Sequence, residues 1–207
     1  MEFITRLMNQ TRMPEGRLGK IMIAMMNFGH APLFNWGVKK LPDIDFKKIL
    51  DLGCGGGRNI SKLAKAYRNS KLKGIDLSPL CVEAASKYNR KLIETERMKI
   101  ECGDVVTLSE KEKDYDLVTA IETIYFWEDL QHCFENIREC MKEEGVILIV
   151  NELDGNAPSS EKYEKIIKGL KAYRAEKIEE YLLRAGFKNI ETFRRESPSW
   201  IAVTARK

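Results

Sequence analysis

The chain has 207 residues, 43% of them hydrophobic, and its 35 basic residues against 31 acidic ones leave a formal net charge of +4. That length buries one substantial core and hardly two. The charge is spread evenly, with no Lys/Arg run longer than pairs such as Lys39-Lys40 and Arg194-Arg195, which argues against a nucleic-acid surface because such a surface needs clustered cations.

Five cysteines (Cys54, Cys81, Cys102, Cys133, Cys140) are an odd number without a C-x-x-C pair, so neither a disulfide framework nor a zinc knuckle is indicated, and no metal site is expected. No charged-then-apolar leader opens the chain, and the longest apolar stretch, Ile21 to Met26, is too short to span a bilayer. A reduced, soluble, cytoplasmic protein is expected.

In chain order, residues 1–16 are polar and methionine-bearing, broken by Pro14 and Gly16, and are expected to be weakly ordered or ordered by a ligand. Leu18, Ile21, Met22, Met25 and Met26 then recur at helical spacing and predict one apolar stripe. Asn27, Gly29 and Pro32 interrupt it, and a second short helix carries Phe34, Trp36, Val38 and Leu41 before Pro42. Six of the eight methionines lie in the first 26 residues. Methionine suits surfaces that repack, so this segment is either a helix docked on the core or a lid over a substrate. Residues 1–44 are accordingly taken as an N-terminal helical cap or lid, and 45–207 as the main domain.

From Lys47, strands near 47–52, 72–76, 98–102, 115–121 and 145–151 alternate with helices near 57–68, 79–92 and 129–142, the spacing of βαβ units. In the last of these helices Leu130, Cys133, Phe134, Ile137 and Met141 share a face, which makes Cys133 core and His132 solvated. A longer helical region, about 159–185, ends at Gly186, and strands near 187–194 and 199–205 close the chain. Too few residues separate these two for a parallel crossover, so they pair antiparallel. The fold class is α/β: a seven-stranded, doubly wound, mostly parallel sheet with one antiparallel strand near the C-terminus and helices on both faces.

The stretch from Lys48 to Ala66, KILDLGCGGGRNISKLAKA, reads as a buried strand, a glycine turn and a helix, which brings backbone N–H groups close to a ligand. A dinucleotide fingerprint needs a third glycine where Arg58 stands, whereas D-x-G-x-G-x-G is satisfied by Asp51, Gly53, Gly55 and Gly57. The next strand ends at Asp76, about 20 residues on, where a carboxylate accepts both ribose hydroxyls and leaves no room for a 2′-phosphate. Asp104, after Cys102-Gly103, is placed to hold a purine amine between the apolar Leu77 and Val105.

The ordered set DLGCGGG, GIDLS, CGDV, YDLVTAIETIYFWEDL and EEGVILIV resembles the class I S-adenosylmethionine-dependent methyltransferases over roughly residues 45 to 206. The resemblance implies S-adenosyl-L-methionine as cofactor and S-adenosyl-L-homocysteine as product. Asp51 and the loop of Gly53, Cys54, Gly55 and Gly57 would meet its methionine part, and Asp76 its ribose. Leu77, Val105 and Asp104 would hold adenine, and Ile121 and Glu122 would lie near the sulfonium. Asn59 and Ser78 complete the cofactor-binding set. Read without the resemblance, Asp51 is a helix cap, Asp104 a turn residue and Cys54 a small buried filler.

Glu122, Tyr125 and His30 are the candidates for catalysis, Glu122 and His30 as optional general bases. Glu122 either takes a proton or caps its loop, and His30 either joins the chemistry or only shapes a Gly-His-Ala-Pro turn. Trp36, Tyr125, Phe126 and Trp127 either line an apolar acceptor pocket or belong to the core. The expected activity is in-line methyl transfer to a small molecule, since no basic module and no N-P-P-Y or D-P-P-Y sequence points to nucleic acid or protein glutamine. The cysteines read as core, against a thiol or metalloid acceptor. A nucleic-acid methyltransferase and a non-catalytic cofactor-binding partner subunit are the alternatives, and the oligomeric state is open.

Overall fold

The short apolar runs become strands covered on both faces in a computed structural model that describes residues 2–110, 113–196 and 198–207. The strands are β1 (Lys48–Leu52), β2 (Lys71–Asp76), β3 (Met98–Cys102), β4 (Tyr115–Ile121), β5 (Met141–Asn151), β6 (Lys188–Arg195) and β7 (Trp200–Arg206). They form one seven-stranded sheet in the order β3-β2-β1-β4-β5-β7-β6. Neighbours from β3 to β5 pair in parallel, and β7 runs antiparallel to both β5 and β6. The reversed strand near the C-terminus is thus β7, one place in from the edge.

Side chains alternate across β1, which sends Leu50 to one core and Ile49 to the other. On the Leu50 side, Phe134 and Ile137 of α7 (Leu130–Cys140) and Ile178 and Leu182 of α9 (Ala175–Arg184) cover the sheet. On the Ile49 side stand Leu33 and Phe34 of α3 (Ala31–Val38) and Ile60 and Leu63 of α4 (Arg58–Ala66). A third apolar cluster of Tyr125, Leu153, Ile167 and Leu170 lies beyond the carboxyl edge, against Met8 of α1 (Glu2–Met8) and Tyr163 of α8 (Pro158–Ile166).

Several local expectations change. Residues 2–8 form a helix whose Met8 joins the third cluster. The region 159–185 is two helices, α8 and α9, because Ile167 turns to extended backbone and it and Leu170 are drawn into that cluster. The helix expected at 79–92 breaks into α5 (Pro79–Tyr88) and α6 (Arg90–Glu94) at buried Asn89, whose amide donates to Gly57 O at 2.9 Å. Met141 begins β5 instead of ending α7, by pairing with Tyr115. Helix α2 (Gly16–Gly29) buries Gly19, Met22 and Ile23 and exposes Ile21 and Met25, one position off the predicted stripe. Cys133 is core and Cys102 is exposed. Among the described residues no helix is long and apolar enough to cross a membrane.

Candidate functional site

Parallel strands bring their carboxyl ends to one edge, and the ends of β1, β2, β3 and β4 open there onto a cavity of about 280 Å³. The glycine loop forms its floor. Gly53 and Cys54 donate their N–H groups to Ile75 O at 2.8 and 3.1 Å, which ties the loop to β2. Gly55 has φ +54° and nothing within 4 Å of where a Cβ would stand, so its backbone faces open space. Gly56 is covered by α2, since a Cβ there would meet Asn27 Nδ2 at 2.3 Å.

Asp76 accepts Gly55 N–H at Oδ2 (2.8 Å) and Ser78 N–H at Oδ1 (2.9 Å), and burial raises its pKa despite those bonds. Asp104 accepts Val106 N–H at 3.0 Å while lining the same cavity, so the turn role and the wall role coexist. Asp76, Asp104, Glu122 and Glu128 line the cavity against Arg12 and His30. A predominantly acidic wall suits a cationic sulfonium and opposes a pyrophosphate. An absent Cβ at Gly55 and carboxylates at the ends of β2 and β3 likewise fit S-adenosylmethionine.

A second cavity of about 230 Å³ adjoins the first. Met8, Met22, Met25, Met26, Leu153, Tyr163, Ile167 and Leu170 make most of its wall apolar. The two share Thr11, Met26, His30, Glu122 and Phe126. At this junction Glu122 adopts φ +59°, uncommon for a non-glycine residue. Its Oε1 accepts Tyr125 OH at 2.8 Å and the backbone N–H of Glu152, and its Oε2 lies 3.8 Å from His30 Nε2. Burial raises the Glu122 pKa, opposed by His30, by the Glu152 N–H and by Tyr125. Tyr125 OH accepts Leu153 N–H at 2.9 Å, and burial, then the Glu122 charge, push its phenol well above its ordinary range. Tyr125 thus stands buried behind Glu122 with its hydroxyl bonded on both sides.

Residues 49–145 match the family model described as a methyltransferase domain. Over this stretch, a little under half of the chain, it is similar to the class I S-adenosylmethionine-dependent methyltransferases. It is 26% identical to an O-methyltransferase of Pyrenophora dematioidea over 147 residues, covering 69% of this chain and 55% of that protein. It is 31% identical to norajmaline N-methyltransferase of Rauvolfia serpentina over 116 residues, covering 56% and 39%. The chain thus spans about half the length of these curated relatives or less. Human N-acetylserotonin methyltransferase, solved in complex with SAM, shares the fold with a TM-score of 0.73 and 18% identity, over 89% of this chain and 54% of that one.

Within this methyltransferase fold, Gly53, Cys54, Gly55, Asn59, Asp76, Leu77, Asp104, Val105, Ile121, Glu122 and His30 all reach the first cavity. Asp51, Gly57 and Ser78 stand behind its wall. Asp51 bonds Thr119 Oγ1 at 2.6 Å, Gly57 is the left-handed residue before α4, and Ser78 caps α5 and donates to Pro14 O at 2.9 Å. Cys54 is a buried filler whose thiol is held protonated by burial and by Asp51 and Asp76. Tyr125 and Phe126 line the second cavity and Trp127 the first. Trp36 takes the core alternative, tilted against Trp200 at 5.9 Å on the Ile49 side of the sheet.

Thr11, Arg12, Met26, Asn27 and Glu128 also line the first cavity and Glu152 the second, none of them anticipated as site residues. For Glu152 a signal existed, a carboxylate just past the end of β5, the edge at which ligands of such sheets bind.

Proposed function

We propose that the protein transfers a methyl group from S-adenosylmethionine, held in the first cavity, to a small-molecule acceptor in the second. The observation that carries this reading is the meeting of the two cavities at His30, Glu122, Thr11, Met26 and Phe126. The names of the relatives, O- and N-methyltransferases, support it.

When bound, the cofactor supplies a ready electrophile, the methyl carbon on its sulfonium. The chain's task is alignment and the exclusion of water, which together supply much of the rate through effective molarity. The methionine, tyrosine and aliphatic wall holds the acceptor's apolar body, and His30 and Glu122 hold its nucleophilic atom at the junction and accept its proton.

Residues 1–44 act as the cover of this site, in the cytoplasm. Arg12 Nη2 bonds Glu128 Oε1 at 3.0 Å, and Asn9 is tied to Ile166 O at 3.1 Å and to Lys168 N–H at 2.8 Å, so the segment straps across both cavities.

The test is a screen of cell extract with label-bearing cofactor and mass identification of the product, run beside His30→Ala and Glu122→Gln. Both variants should keep nearly full affinity for S-adenosylhomocysteine and lose turnover. Full turnover by both removes the junction from the chemistry, and failure of the wild type to bind S-adenosylhomocysteine removes the reading altogether.

A further inference from the structure

The junction brings together three metal-ligating side chains. His30 offers Nε2, Glu122 offers Oε2 and Glu152 a carboxylate oxygen, and these atoms all lie within 4.8 Å of one another. They come from three elements, the corner between α2 and α3, the end of β4 and the loop after β5. His30 is fixed there by its own backbone, donating N–H to Met26 O at 3.2 Å and accepting Phe34 N–H at 2.9 Å.

The donors are also oriented. Tyr125 OH and the Glu152 N–H both occupy Glu122 Oε1, which leaves Oε2 for a ligand on the His30 side. Leu153 N–H fixes Tyr125 in turn, at 2.9 Å. Ligating carboxylates are held in this way by outer-shell hydrogen bonds. Two ligands at about 2.1 Å from a tetrahedral ion stand about 3.4 Å apart. His30 Nε2 and Glu122 Oε2 are at 3.8 Å and need to close only slightly, while the exposed Glu152 is free to turn inward. One imidazole with two carboxylates and no sulfur suits zinc and its first-row neighbours.

We propose that His30, Glu122 and Glu152 bind one divalent ion of the zinc class, with its remaining positions open to the second cavity. Rich in methionine and aromatic side chains and closed by this polar end, that cavity then receives an apolar acceptor bearing a hydroxyl or thiol. With the ion bound, His30 and Glu122 serve as its ligands instead of as bases, and the acceptor would lose its proton to solvent. The resulting oxygen or sulfur anion forms the new bond to the methyl carbon as the carbon–sulfonium bond breaks, and the electron pair of that bond returns to sulfur as neutral S-adenosylhomocysteine. The inference rests on the second cavity being the acceptor site, but ion binding is measured without turnover.

The experiment is equilibrium dialysis against Zn²⁺ with elemental analysis, and titration with Co²⁺ read by its visible spectrum. Both use a Cys102→Ser background that removes the exposed thiol. One equivalent should bind the parent protein, and His30→Ala and Glu152→Gln should each weaken binding at least a hundredfold. Tyr125→Phe, which removes an outer-shell partner, should weaken it roughly 10–100-fold. S-adenosylhomocysteine affinity should be unchanged in Glu152→Gln, whose side chain does not line the first cavity.

No bound ion, or equal binding by parent, His30→Ala and Glu152→Gln, overturns the proposal. So does binding of benzyltrimethylammonium that needs Glu152 while no ion binds, which assigns the cluster to a cationic acceptor. Loss of S-adenosylhomocysteine binding by the parent would instead strike the methyltransferase reading and leave the ion result standing.

Discussion

Replacing Asp51 by asparagine should change how stability depends on pH. Asp51 is 2% exposed, its Oδ1 accepts Thr119 Oγ1 at 2.6 Å, and its Oδ2 is buried with no partner among the described residues. Burial, only partly offset by Thr119 and reinforced by Asp76, pushes its pKa from 3.8 up to about 7. Between those values the folded chain keeps a proton that the unfolded chain has released. The stability this group allows is therefore complete below pH 3.8 and declines as pH rises, until the folded carboxyl ionises near 7. A shift of about three units at 1.36 kcal/mol each makes the loss about 4 kcal/mol at most. Asparagine has nearly the same shape, keeps an acceptor for Thr119 and stays neutral throughout. Urea denaturation of both proteins from about pH 4 to about pH 8 isolates the effect, because other titrating groups cancel in the difference. The stability of Asp51→Asn relative to wild type should climb by up to about 4 kcal/mol across that range. A difference that stays flat with pH would refute the claim that Asp51 is held protonated.

Asp76→Asn leaves only one acceptor for the N–H groups of Gly55 and Ser78; losing one charge-assisted bond of about 1.5–3 kcal/mol should weaken S-adenosylhomocysteine roughly 10–100-fold by calorimetry. Arg12→Ala removes an exposed pair worth no more than about 1 kcal/mol, so Tm should barely move while S-adenosylhomocysteine dissociates faster in stopped flow; an unchanged off-rate would sink the strap. Phe134→Ala empties a fully buried site packed edge-on against Trp127 at 6.2 Å and should cost about 3–5 kcal/mol in denaturant unfolding.

The sheet was legible because strands covered on both faces are continuous apolar runs, and β1 to β4 lie within a residue or so of where those runs stand. Asp76 and Asp104 were legible for a topological reason: in a parallel sheet every strand carries its carboxyl end to one edge, so residues just past successive strands converge there. The segment from Asn156 to Tyr173 was not. Whether residues 159–185 form one helix or two depends on Ile167 and Leu170 finding Tyr125 and Leu153, contacts that no local pattern encodes. Tyr125 shows the same limit at the site. Its place after β4 was legible, but not that Leu153 N–H and Glu122 between them would hold its phenol.

Helix α2 shows why hydropathy misplaced the buried face by one residue. The apolar stripe through Ile21 and Met25 points outward at 48% and 52% exposure, while Gly19, Met22 and Ile23 are buried. Gly19 permits this, since a Cβ there would stand 2.8 Å from the Pro14 carbonyl carbon, so α2 and the segment before it can close on each other. Continued at helical spacing, that inner face presents Met26 and Asn27 to the first cavity, and His30 follows at its end. A helix packed on an apolar sheet shows its buried face as its most hydrophobic one. A helix packed over a cavity can turn a small and partly polar face inward, so its buried side need not be its most hydrophobic one. The surplus methionines follow from the same geometry. Met22, Met25 and Met26 all reach the second cavity, Met25 from the helix flank, and give it an apolar wall beside the polar one.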